Sequence, residues 1–185
     1  MDLVMSKMKT RDLVYIAVAV VLLAVSAWIS FPVGNMAFTM QTAALFVVAS
    51  LLGLNRSMFA VGAYILLGLT GVPVFTGFSG GITKLMLPTG GFILGFFPLT
   101  IIVGVASDML KKHNVAKTAL YQSGAMLAGL LACYLVGSAW LACFISHDVG
   151  FLAAFTASLI SYLPLDLAKI ALAIFVSGKL KKYIK

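Results

Sequence analysis

Long apolar runs separated by short polar or turn-forming interruptions organise the chain. The runs cover residues 13–30, 38–52, 58–69, 92–109, 118–144 and 164–179. The interruptions are Phe31-Pro32-Val33-Gly34, Gly53-Leu54-Asn55-Arg56, Thr70-Gly71 and a basic loop holding Lys111, Lys112, His113 and Lys117. A helix needs about 20 predominantly apolar residues to cross the hydrocarbon core of a bilayer. The pattern therefore predicts an all-α integral membrane protein, one membrane domain over residues 1–185 with six transmembrane helices. As one helix, residues 150–178 would be about 40 Å long against a core of about 30 Å. Proline suits the first turn of a helix. Pro164 thus divides the stretch into a short outer helix over residues 151–162 and a sixth span from 164. At the other end, Lys7, Lys9 and Arg11 precede an apolar run with no convincing small-residue cleavage pattern, so it reads as the first span and not as a cleaved signal.

Residues 71–95, GVPVFTGFSGGITKLMLPTGGFILG, do not fit the pattern. Loops longer than about 15 residues without regular structure are uncommon unless functional or disordered. Phe75, Phe78, Ile82, Leu85 and Leu87 give this one apolar surface to bury, which argues against disorder. It is expected to be an ordered, glycine-rich outer loop, a lid or pocket wall.

Composition agrees with a membrane solvent: 62% of residues are hydrophobic and 10% charged, and the mean hydropathy is +1.12. A net charge of +8 would suggest nucleic acid in a soluble chain, but here the cations flank apolar runs. With the N-terminus cytoplasmic, the inner segments hold Lys7, Lys9, Arg11, Arg56, Lys111, Lys112, Lys117, Lys179, Lys181, Lys182 and Lys185. Only Lys84 is left outside, and Lys169 falls within the sixth span. Basic residues concentrate on the cytoplasmic side. A multi-pass protein of the bacterial cell membrane with both termini cytoplasmic is expected. Cys133 and Cys143, about 15 Å apart along one helix, are too distant to bridge and read as small buried hydrophobes.

In that orientation spans two, four and six enter the membrane from outside, and helix N-termini favour anions or polar acceptors. The unusual residues gather there: Thr39 and Gln41 at span two, Thr89 and Gly90 at span four, Asp166 and Lys169 at span six. Asp166 and Lys169 are three apart and share a helix face. Charges inside a bilayer cost about 2.5–3.5 kcal/mol each on insertion scales, which makes this pair a functional candidate. The plainer readings are a structural ion pair, capping by Thr39 and Gln41, and glycines at 80, 81, 90 and 91 that only permit tight turns.

Gly77-Phe78-Ser79-Gly80-Gly81 matches the G-x-S-x-G elbow of serine hydrolases, which would make Ser79 a nucleophile. That elbow needs a strand-turn-helix setting and a positioned base, and the two histidines are His113, in a cytoplasmic loop, and His147, in an outer one. No G-x-x-x-x-G-K-[ST] loop or metal-ligand cluster occurs, so no cofactor or metal is expected.

The run Gly71-Val72-Pro73-Val74-Phe75, Ser79-Gly80-Gly81, Pro88-Thr89-Gly90-Gly91-Phe92 and Gly95-Phe96 resembles the signature of the BioY family, the biotin-specific S components of energy-coupling-factor (ECF) transporters. Thr39-Met40-Gln41-Thr42, Tyr64, Leu67-Gly68, Trp140-Leu141, Pro164, Asp166 and Lys169 extend the resemblance over about residues 39–173. It differs where the family often has Pro (Ala37), Tyr (Phe92) or Gly (Leu165). Ala17, Ala19, Ala24 and Ala27 also do not form the Ala-x-x-x-Ala pair that many S components use to dock their coupling subunit. The resemblance implies a six-helix S component that is not an enzyme. It would capture biotin outside and work with two ATPase subunits and a transmembrane coupling subunit, which use the ATP. The candidate substrate contacts are then Asp166, Lys169, Thr39, Gln41, Phe75, Ser79, Gly81, Thr89 and Gly90. Asp166 and Lys169 would hold the ureido ring and the residues near Ser79–Gly81 or Thr89–Gly91 the carboxylate, or the reverse. An S component for another vitamin, or a membrane serine hydrolase using Ser79, are the alternatives.

Overall fold

The computed structural model describes residues 9–33, 36–110, 115–145 and 150–183. Helix α1, Thr10–Trp28, leads into an antiparallel hairpin of β1, Ser30–Val33, and β2, Met36–Thr39, with Ser30 opposite Thr39. Helix α2, Gln41–Leu69, follows, then the glycine-rich segment with a single 3-10 turn, Ile82–Lys84. Helices α3, Gly90–Leu94, and α4, Phe96–Met109, are separated at Gly95. Helix α5, Val115–Trp140, runs into a π-turn, Leu141–Ile145, and α6, Phe151–Leu180, completes the bundle. Gly34, the basic loop Lys111 to His113, and His147 lie outside the described residues.

Among the described residues, five stretches are long and apolar enough to cross a membrane, where the sequence pattern predicts six. The difference is one of continuity. Gln41 Nε2 donates to Tyr64 Oη at 2.7 Å, although 23 residues of straight helix would separate them by about 34 Å. Gly53, with φ 73 and ψ −174, is the non-helical residue between them. Helix α2 therefore doubles back there, and its limbs, residues 41–52 and 54–69, run side by side. A four-residue loop, Gly53 to Arg56, is expected from the sequence, and the reversal is instead concentrated at Gly53.

One further expectation is corrected. The break placed at Pro164 is absent, and α6 is continuous over 30 residues. Proline removes one donor and crowds the preceding turn, but membrane helices tolerate this when packed neighbours and local adjustment satisfy the freed carbonyl. The all-α membrane class holds, with one short hairpin added to the helices. Phe31, Val33, Phe38 and Thr39 favour extended backbone, and the ladder satisfies polar groups that could not stay unpaired near lipid.

Leu23, Phe46, Tyr64, Leu99, Val103 and Leu130 centre the core, each 0% exposed. Outward positions are equally apolar: Val18 is 61%, Leu120 74% and Ile160 78% exposed. A surface of this kind suits lipid, not water. Ala19, Ala24 and Ala27 on α1 are buried in the bundle, so three of its four alanines pack internally. Gly129 and Gly137 on α5 do the same, lying under Leu99 and the Phe92 ring respectively.

Candidate functional site

The glycine-rich segment is ordered by contacts that its composition permits. The Phe75 ring lies where a Cβ on Gly68 would be, so only glycine at 68 admits it. Phe75 N–H donates to Ser79 O at 2.9 Å, and Gly81 N–H reaches back to Gly68 O at 2.7 Å. Trp28, at the end of α1, donates from Nε1 to Pro73 O at 3.0 Å and stacks on Phe78 with centroids 4.8 Å apart. The segment is thereby fastened to α1 on one side and to α2 on the other.

Beneath it is a cavity of about 200 Å³, lined from α2, α3, α4, α5, α6 and the loop. The fold-back of α2 supplies one polar corner, where Gln41 donates to Tyr64 and Tyr64 Oη donates to Val74 O at 3.0 Å. A second corner centres on Asp166, which is 3% exposed. Its Oδ1 accepts from Thr42 Oγ1 at 2.9 Å and from Lys169 Nζ at 2.7 Å, while Oδ2 accepts from Tyr134 Oη at 2.5 Å. Lys169 Nζ also donates to Thr42 Oγ1 at 3.1 Å. Between the corners, Tyr162 packs 5.0 Å from Phe38, 5.9 Å from Phe92 and 6.3 Å from Tyr134, centroid to centroid.

The hydrogen-bond inventory says what this corner can still do. A carboxylate offers about four acceptor sites and an ammonium three donors. Three of the former and two of the latter are occupied, which leaves one acceptor on Asp166 and one proton on Lys169. A ligand that presents a donor beside an acceptor, as an amide or urea edge does, complements both at once. The tyrosine and phenylalanine faces suit an apolar body attached to that edge.

Of the residues singled out from sequence, Thr39, Gln41, Phe75, Thr89, Asp166 and Lys169 line this cavity. Ser79, Gly81 and Gly90 do not. Ser79 Oγ donates to Thr76 O at 2.7 Å, and the N–H groups of Ser79, Gly81 and Gly90 bond to Phe75, Gly68 and Leu87 carbonyls. Gly90 is instead a close-approach position, where a side chain would strike the Leu85 backbone. The Ser79 turn closes an isolated bridge between residues 75 and 79, not a strand-turn-helix elbow. His147, its one candidate base on that side, lies outside the described residues.

Sequence reasoning missed Thr42, Tyr134, Tyr162 and Lys84 as lining residues. Tyr162 had a signal, since it precedes Asp166 by one helical turn and so shares its face. Tyr134 had none, because only the packing of α5 against α6 brings it to Asp166.

Comparison with known proteins identifies relatives of the whole chain. The family model described as "BioY family" matches residues 4–185. A Thermotoga maritima protein named "Biotin transporter BioY" is 33% identical over 172 residues, covering 93% of this chain and 96% of its own. The "Biotin transporter BioY2" of Lactococcus lactis subsp. cremoris is 32% identical over 144 residues, 78% of this chain and 76% of its own. The crystal structure of an S-component for biotin from an ECF-type ABC transporter superposes with a TM-score of 0.80 over 95% of both chains, at 22% identity.

Proposed function

The chain belongs to the BioY family, and from that premise we propose that it is the substrate-capture component of a biotin importer. It is a transport protein and not an enzyme. It binds biotin at the outer face of the cell membrane and hands it on with an energy-coupling module of two ATPase subunits and a transmembrane coupling subunit. The distribution of basic residues supports cytoplasmic termini, and in that orientation the cavity and its lid face outward.

The observation that carries the substrate is the polar corner of Asp166 and Lys169. Biotin's ureido ring presents N–H donors beside a carbonyl oxygen, its thiophane and valerate chain are apolar, and its tail is a carboxylate. The vacant acceptor on Asp166 takes a ureido N–H, the remaining Lys169 proton goes to the ureido oxygen, and Tyr162 and Phe92 cover the apolar body. The decisive measurement is mass spectrometry of the small molecules that co-purify with the protein. Biotin is the expected species. A different vitamin in its place would overturn the substrate and leave the fold untouched.

The lid contacts lead to a kinetic prediction. Trp28→Ala removes both the hydrogen bond to Pro73 and the stack on Phe78. Trp28, Pro73 and Phe78 do not line the cavity, so the change acts on closure. Biotin dissociation is expected to quicken by about ten-fold with little change in association rate, since such effects fall mainly on the off-rate. Stopped-flow displacement separates the two rates, and an unchanged off-rate would remove Trp28 from the lid mechanism.

A further inference from the structure

Three ionisable side chains of ordinary charge line the cavity: Asp166, Lys169 and Lys84. Asp166 and Lys169 neutralise each other at 2.7 Å. Lys84 is the one charged residue of the lid segment, sits half-buried in the 3-10 turn, and has no ion-pair partner among the described residues. Two cations against one carboxylate leave the cavity with a net charge of +1. The Ser79, Gly81 and Gly90 N–H groups, the lid donors that the sequence singles out for an anion, are bonded within the loop or to α2.

We infer that Lys84 is the counter-ion for the ligand's carboxylate, so that the site selects the free acid over carboxyl-blocked forms of the same molecule. The inference rests on the reading of the ligand as biotin and adds which residue recognises its anionic end. A lysine with only a solvation role extends its stem over apolar surface and puts its ammonium in water. Lys84 instead belongs to the turn that roofs the cavity, with Lys84 N–H fixed to Gly81 O at 3.1 Å. In this arrangement the ureido end is read by α6 and the carboxylate by the lid, so only a ligand with both ends draws the lid onto the bundle.

The test compares biotin with biotinamide, whose tail is neutral, on the purified full-length protein by titration calorimetry. Wild type is expected to bind biotin about 10- to 100-fold more tightly than biotinamide, the range of one charged hydrogen bond. Lys84→Gln should lose that margin through weaker biotin binding alone, with biotinamide affinity unchanged, which also reports an intact fold. Lys84→Arg should keep most of the margin. Equal weakening of both ligands by Lys84→Gln, or a wild type that does not distinguish them, would overturn the inference while leaving the biotin reading in place. If wild type bound neither ligand, the biotin reading would fall and this inference with it.

Discussion

Asp166→Asn is expected to weaken biotin binding by about 10- to 100-fold, and Lys169→Ala by a similar factor, measured by titration on purified protein. Each removes a charged hydrogen bond to the ligand, about 1.5–3 kcal/mol and so roughly 10- to 100-fold. Each also strands its partner. The pair is nearly buried, with side-chain exposures of 11% for Lys169 and 4% for Asp166. Removing one member of a buried pair costs about 3–5 kcal/mol because the other charge is left uncompensated. The single variants should therefore melt earlier as well as bind poorly. The double variant Asp166→Asn with Lys169→Met separates the two effects. With no stranded charge it should recover much of the thermal stability, yet still fail to bind. Recovery of binding along with stability would make the pair a structural clasp only. Wild-type affinity in both single variants would remove the pair from the ligand site altogether.

The corner was legible because its chemistry is local. Asp166 and Lys169 stand three apart in an apolar run, and a charge pair in that setting announces itself without any knowledge of the fold. Gln41 was reached from its place at the outer end of span two and Phe75 through the signature segment, and both line the same cavity. What sequence did not reveal depends on packing between distant segments. Tyr134 meets Asp166 across 32 residues, and Thr42 meets it across 124. The lid glycines were ambiguous for another reason. Glycine marks a positive φ, a close approach or a bare N–H equally well, and Gly81 (φ 92) and Gly90 (packed against Leu85) turn out to serve the first two. Pro164 was misread because proline signals a boundary strongly in water and only weakly inside a packed membrane bundle.

The reversal at Gly53 gives the second large effect, and it is one of stability. A backbone at φ 73 and ψ −174 lies in a region that is essentially restricted to glycine. A Cβ there would run into the Asp108 carboxylate, with Asp108 Cγ only 2.9 Å away. That carboxylate accepts the N–H of Leu54 at 2.9 Å, one of the orphan donors at the start of the second limb of α2. Ser57 Oγ completes the turn by donating to Gly53 O at 2.5 Å. Gly53→Val combines backbone strain of about 1–3 kcal/mol with displacement of a cap worth about 1–3 kcal/mol more. A marked drop in melting temperature is expected in detergent. Biotin binding should fall with it, because the fold-back is what sets Gln41 against Tyr64 and lays the first limb under the lid. Gly62→Ala is the control. Gly62 lies in the second limb, and a Cβ there meets nothing within 4 Å, so the change should be neutral or stabilising by up to about 1 kcal/mol. Identical melting of the two variants would show that the turn does not depend on glycine at 53, and the pairing of the two limbs would then need another cause.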